Sequence, residues 1–206
     1  MSDTITAEII KIIPSLLWVI FSVIILILFY KPIVKRLVPK VKELKLFGVE
    51  AAFFQETLRK ATALKHSKIT REDENILLKR IQAIGIDFSV KSILWIDDRP
   101  ELSYIDRNLL STIGFNVEIA ETSDESLKKI NEKEFDIIIS DIIRNEDHTA
   151  GLDFLKKIRS TGNNIPLIFY LEFLDRDKGV PAFCFGITNE PKEMIHLVLD
   201  IIQRGN

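Results

Sequence analysis

The chain holds a single cysteine, Cys184, among 206 residues. That excludes an intramolecular disulfide and any multi-cysteine zinc or iron–sulfur site. Its three histidines, His66, His148 and His196, are far apart in sequence, which argues against a histidine-rich metal site. An excess of positive charge is also missing, since the formal net charge is −2. With no global basic field, the expectation is a protein without a nucleic-acid partner. The sequence shows no P-loop, no DxDxT-like nucleophile motif and no general base, so an enzyme is not expected. Disorder is excluded by what is present: charged residues are 28% and hydrophobic residues 47% of the chain, a globular balance.

Part of that hydrophobicity is concentrated in one run. Ile12 to Tyr30, IIPSLLWVIFSVIILILFY, is 19 residues without a charge. As a helix it would measure about 28 Å, close to the hydrocarbon thickness of a bilayer. The start, MSDTITAEIIK, is not basic and no A-x-A site follows, so a retained transmembrane helix over 12–30 is expected rather than a cleaved signal. Lys31, Lys35, Arg36, Lys40, Lys42 and Lys45 follow the run against Glu43 alone. The positive-inside rule then places residues 1–11 outside and the remainder in the cytoplasm. The expectation is a single-pass protein of the inner (cytoplasmic) membrane, with lipid as one partner.

Residues 31–91 read as a basic juxtamembrane and helical connector. Pro32 and Pro39 interrupt helix continuity, and Gly48 is read as a break. Val49 to Leu64 predicts a helix with Ala52, Phe53 and Leu64 on its apolar face. Thr70 with Asp73 signals a second helix start, Ile76, Leu77, Ile81 and Ile84 recur at helical spacing, and Gly85 ends it.

From Ser92 to Asn206 strands alternate with helices. Ile93 to Ile96, Val117 to Ala120, Phe135 to Ser140, Ile165 to Leu171 and Ala182 to Phe185 are the expected strands. Between them lie helices over Glu101 to Ile113, from the Thr122-x-x-Glu125 capping box, and over Gly151 to Arg159; Pro191 opens a last one. Leu102, Ile105, Leu109, Leu110 and Ile113 form one apolar face, and Met194, Ile195, Val198, Ile201 and Ile202 another. Apolar strands alternating with amphipathic helices predict a parallel sheet covered on both faces, with function at the carboxyl ends of the strands. Asp97 and Asp98 end the first strand and Asp141 the third. Three carboxylates at one edge repel one another unless a cation such as Mg²⁺ sits there. Tyr170, Phe169 and Cys184 read as core residues, Cys184 within the last strand.

ILWIDDRPE, FDIIISDI, GLDFLKKIR and IPLIFY, in that order, resemble the receiver domain of two-component response regulators over Ser92 to Arg204. The resemblance implies a flavodoxin-like five-stranded parallel sheet in the order 2-1-3-4-5. It implies Asp97 and Asp98 as the acidic pair that holds Mg²⁺, and Asp141 as both a metal contact and the phosphoacceptor. Departures accompany it. Leu171 stands where receivers carry Thr or Ser, and Glu190 where they carry Lys before the proline. The loop IIRNEDHTAG after Asp141 lacks the usual Met-Pro, and ten residues, Glu172 to Pro181, leave little room for a fourth helix. The expectation is a degenerate receiver that binds Mg²⁺ weakly. Arg99 is read either as a partner of the carboxylates or as a solvated loop cation, and Arg99, Arg144, Asp147 and His148 are the loop residues that could contact a partner or ligand. With the chain ending at Asn206, no DNA-binding domain is expected to follow. The expected function is a membrane-anchored pseudo-receiver acting through a protein partner or self-association. The alternatives are a working phosphoreceiver in a phosphorelay, and a membrane effector in a bacterial stress or defence pathway.

Overall fold

The computed structural model describes residues 17–19, 21–24 and 38–205, and divides into two units, 1–49 and 50–206. In the second unit lies a parallel sheet of β1 (Ser92–Ile96), β2 (Asn116–Ala120), β3 (Ile137–Ser140), β4 (Leu167–Tyr170) and β5 (Gly186–Thr188). Its order is β2-β1-β3-β4-β5, with every pairing parallel, as the flavodoxin-like expectation requires. The helices are α1 (Val38–Leu64), α2 (Arg71–Ile84), α3 (Tyr104–Ile113), α4 (Ser123–Glu132), α5 (Ala150–Ser160) and α6 (Pro191–Gly205).

All residues of β3 and β4 are buried, which is why both strands read as unbroken apolar runs. One core face joins Ile93, Trp95, Ile137, Ile139, Ile168 and Tyr170 to α3, α6 and the connector helices. The other joins Leu94, Ile96, Ile138, Leu167 and Phe169 to Phe154, Leu155 and Ile158 of α5. The α2 start is a capping box: Asp73 N–H donates to Thr70 Oγ1 at 3.1 Å and Thr70 N–H returns to Asp73 Oδ2 at 3.0 Å. Gly85 closes the helix at φ 64°. At α4, Thr122 Oγ1 accepts from Glu125 N–H, but Glu125 reaches back to Glu121 N–H instead of to its cap.

Several expectations are corrected. Among the described residues no helix is long and apolar enough to cross a membrane. The placement as a single-pass inner-membrane protein thus finds no support among the described helices. The longest described helix, α1, carries Lys40, Lys42, Glu43, Lys45, Glu50, Glu56, Arg59 and Lys60, charges that hydrocarbon does not tolerate. The run 12–30 lies outside the described residues except for 17–19 and 21–24, which are helical; residues 1–11, Pro32 and the flank 31–37 also lie outside them. Gly48 does not break the connector, since α1 runs through it. Pro39 falls in the first turn of α1, where a missing N–H costs little.

The α1 face is also rotated from the expected one. Phe53 and Leu64 are exposed, while Phe54, Leu58 and Ala61 are buried. Helix α3 starts only at Tyr104, leaving Leu102 exposed ahead of it. The last strand is not Ala182 to Phe185. Phe183 takes φ 65° and is exposed, so the apolar letters FCF form a loop and β5 follows at Gly186–Thr188. Cys184 lies in that loop, half-buried, where its thiol donates to Pro181 O. Between β4 and β5 there is one 3₁₀ turn, Arg176–Lys178, in keeping with the missing fourth helix.

Candidate functional site

Register brings the three aspartates to one edge. Ile96 of β1 pairs with Ser140 of β3, so Asp97, Asp98 and Asp141 follow side by side. Asp141 N–H donates to Ile96 O at 3.1 Å, extending the ladder into the loops. Asp97 Oδ1 accepts from Arg99 N–H at 2.9 Å and Oδ2 from Trp95 Nε1 at 3.4 Å. Asp98 Oδ2 accepts from Asn145 N–H at 2.7 Å, while its Oδ1 is buried without a partner. Asp141 Oδ1 accepts from Ile143 N–H at 3.3 Å. Burial raises the Asp141 carboxyl above the usual range, and the charges of Asp97 and Asp98 add to this against the pull of its backbone donors.

Part of that negative charge is balanced from behind. The Arg144 side chain is buried, and it donates to Ser140 Oγ, Asp141 O at 3.1 Å, Ser123 Oγ at 2.8 Å and Ala150 O at 3.1 Å. Its guanidinium also lies 5.8 Å from the Phe154 ring centroid. Arg144 is thus a buried strut of the loop, which corrects its reading as a contact for a partner or ligand. Asn145 and Glu146 take φ 49° and 65°, and Arg144 and Asp147 exchange both backbone bonds across them. That tight turn aims Asn145 N–H at Asp98. Asp147 Oδ1 accepts from Thr149 N–H and Oγ1, and His148 is exposed. Gly151 packs under the site: a Cβ there would fall 2.5 Å from Asp141 O and 2.7 Å from Ile142 Cα.

The edge at β4 and β5 has different furniture. Leu171 is half-buried against the α5 side of the core and donates its N–H to Thr188 O at 2.9 Å. It offers no hydroxyl. Glu190 N–H donates to Thr188 Oγ1 at 3.0 Å, and its carboxylate faces Arg176 at 3.6 Å. The Arg99 guanidinium does not reach the aspartates either; it pairs with Glu172 at 3.5 Å across exposed side chains, so only its backbone N–H serves Asp97.

Two residues that the sequence reading passed over, Lys65 and Asp106, join the site together with Tyr170, which was read as core. A cavity of about 230 Å³ opens on Asp97 and Asp141 and is also lined by Lys65, Asp106 and Tyr170. Asp106 and Tyr170 are each 5% exposed, and Asp106 Oδ1 and the Tyr170 hydroxyl close no hydrogen bond of good geometry. Burial pushes the Asp106 carboxyl up to about 6, against the pull of the adjacent Tyr170 hydroxyl and Lys65. Asp106 was legible as an acid interrupting the apolar face of α3. Lys65 gave no local signal, because its partner lies 106 residues away.

The donor chemistry fits a hard cation: a buried, unpartnered carboxylate oxygen on Asp98 beside carboxylates that repel one another. Among the described residues, no group of three or more His, Cys, Asp or Glu side chains is placed so that it could hold a metal ion, so Asp97, Asp98 and Asp141 stand near one another without forming a ligand set.

Comparison with known proteins points to one family. Residues 93–189 match the family described as Response regulator receiver domain. A probable transcriptional regulator, ycf29, of Porphyra purpurea is 31% identical over 123 residues, 56% of this chain and 58% of that protein. The transcriptional regulatory protein ZraR of Klebsiella oxytoca is 31% identical over 94 residues, 46% of this chain and 21% of that protein. The chain therefore spans well under two thirds of these relatives. Among solved structures, the receiver domain of Francisella response regulator 1452 aligns with a TM-score of 0.50 at 20% identity, covering 56% of this chain and 99% of that one. That likeness concerns the fold. The expectations of an inner-membrane placement with lipid as partner, and of no nucleic-acid partner, are overturned by the curated relatives, which are named transcriptional regulators; no described helix is long and apolar enough to cross a membrane. Net charge misled here, because a charge averaged over the chain does not exclude a role in transcription.

Proposed function

We propose that residues 92–206 are a pseudo-receiver: a signalling module, not an enzyme, that passes its state on by protein contact or self-association. In this reading Asp141 does not hold a phosphoryl group stably. The observation that carries it is the β4–β5 edge, where Leu171 offers no hydroxyl and Glu190 presents a carboxylate paired with Arg176. At about 6 Å and an effective dielectric of about 20, exchanging a cation for an anion changes a pair interaction from roughly −3 to +3 kcal/mol before screening. Asp97, Asp98 and Asp141 would hold Mg²⁺ weakly, and the bound ion would supply neutralisation of charge on an oxygen ligand. The names of the curated relatives support an output that bears on transcription.

The full-length protein, treated with a small phosphodonor and Mg²⁺ and quenched rapidly, should show no phosphorylated species by intact mass. A phosphorelay receiver using Asp141 is the second reading, favoured by the cavity that gives access to that carboxylate. Stoichiometric labelling that disappears in Asp141→Asn would establish it and overturn the first.

A further inference from the structure

We infer that Lys65 is a positioning residue for the acidic site, a cation brought in by the helical connector that ties the charge state of the pocket to the connector. This deepens the pseudo-receiver reading and rests on its premise that the acidic pocket is where state is sensed.

The geometry begins at the end of α1. Lys65 follows Leu64, the last residue of that helix, and the turn continues through His66 at φ 51°. From there the ammonium donates to Leu171 O at 3.3 Å and lies 5.0 Å from the Tyr170 ring centroid. It lines the same cavity as Asp97, Asp106 and Asp141. Asp106 and Tyr170, each at least nine-tenths buried, sit side by side on that cavity, and neither Asp106 Oδ1 nor the Tyr170 hydroxyl closes a hydrogen bond of good geometry. A buried carboxylate with so weak a donor is stabilised by a cation nearby, and the Lys65 charge pulls on Asp106. The two cationic side chains on the cavity wall are Lys65 and Arg99, and the Arg99 guanidinium is turned to Glu172. Lys65 is thus the cation available to the inner end of the pocket.

The connector can transmit what Lys65 feels. Phe54, Leu58 and Ala61 of α1 are buried in the same core as Trp95 and Tyr170. Helix α2 is fastened to α6 by Arg80–Asp200 at 2.6 Å and to the start of α6 by Lys192–Asp73 at 3.3 Å. The short turn between α1 and α2 is thereby held at both ends, with Lys65 in it. On the opposite side of the pocket, the β4–β5 connection carries only a 3₁₀ turn and no helix that could move as a body. Any group that changes the charge at Asp97 or Asp141 changes the attraction on Lys65, and by linkage a partner that moves the connector changes the pocket.

A double-mutant cycle in the full-length protein tests this, with amide hydrogen exchange of residues 64–70 as readout and no ligand required. Asp97→Asn should speed exchange there about three- to tenfold by weakening the hold on Lys65. In a Lys65→Met background the same change should have no further effect, and a Lys65→Arg background should restore it. Additive effects of Lys65→Met and Asp97→Asn, or exchange unchanged by Asp97→Asn, would overturn the inference. Asp106→Asn in place of Asp97→Asn repeats the cycle should Asp97→Asn fail to fold. A parallel Mg²⁺ titration separates the two layers. Non-additivity without Mg²⁺ binding would leave Lys65 in its role and remove the cation from the pseudo-receiver reading.

Discussion

At the β1–β3 edge, Asp97, Asp98 and Asp141 each accept a backbone N–H, and the Arg144 guanidinium braces the loop beneath them. At the β4–β5 edge, Leu171 is packed as a hydrophobe and Glu190 meets a single exposed arginine. The first edge is over-determined: changing an aspartate there orphans a backbone donor as well as removing a charge. The second has few such ties, so its polar groups can be lost at little cost to the fold. On the pseudo-receiver proposal, the difference between the edges follows from how each is wired, and the acids alone are weak evidence of phosphorylation.

That contrast can be broken first at its tightest point. Gly151→Val should destabilise the protein by about 3 kcal/mol or more in urea unfolding, because a side chain there meets the backbone of Asp141 and Ile142 at 2.5–2.7 Å. Arg144→Met should cost about 2–4 kcal/mol, since it leaves Ser140, Ser123 and two carbonyls without their buried donor. If that variant unfolds like wild type, the β1–β3 edge is not braced as described.

A pH series sharpens the same comparison. The folded-state pKa of Asp106, about 6, lies above its ordinary value of 3.8. The native state therefore holds a proton that the unfolded chain has released between about pH 4 and pH 6, and stability falls as pH rises through that window. Asp106→Asn should flatten this part of the profile and gain about 1–3 kcal/mol on wild type between pH 4 and pH 7. Equal slopes would show that Asp106 is not buried as a lone acid. Smallest of all, Arg176→Met should change stability by under about 0.5 kcal/mol, since its pair with Glu190 is exposed at 80% on the arginine side.

A parallel sheet was legible because buried parallel strands write themselves as apolar runs, its order came only with the family resemblance, and Asp97, Asp98 and Asp141 were legible because they end such runs. The β5 assignment failed where the same rule was applied to FCF, three apolar letters in a loop, while the real strand is the short Gly186–Thr188. The α1 face was misplaced by about one residue, since Phe53 and Phe54 are adjacent and periodicity alone does not choose between them. Arg144 read as a loop contact to a partner or ligand; its burial depends on Ser123 and Phe154, which lie elsewhere in the sequence. Lys65 and Tyr170 meet only because the connector packs on the sheet.

The central claim is that the β4–β5 edge has lost the means to hold a phosphoryl group while the β1–β3 edge has kept its acids. Backbone amide NMR of the full-length protein, titrated with Mg²⁺ and beryllofluoride, tests it most directly. Wild type should show no saturable shifts at Asp141 and its neighbours, and Leu171→Thr with Glu190→Lys should show them. Saturable shifts in the unmodified protein at micromolar beryllofluoride would contradict the account.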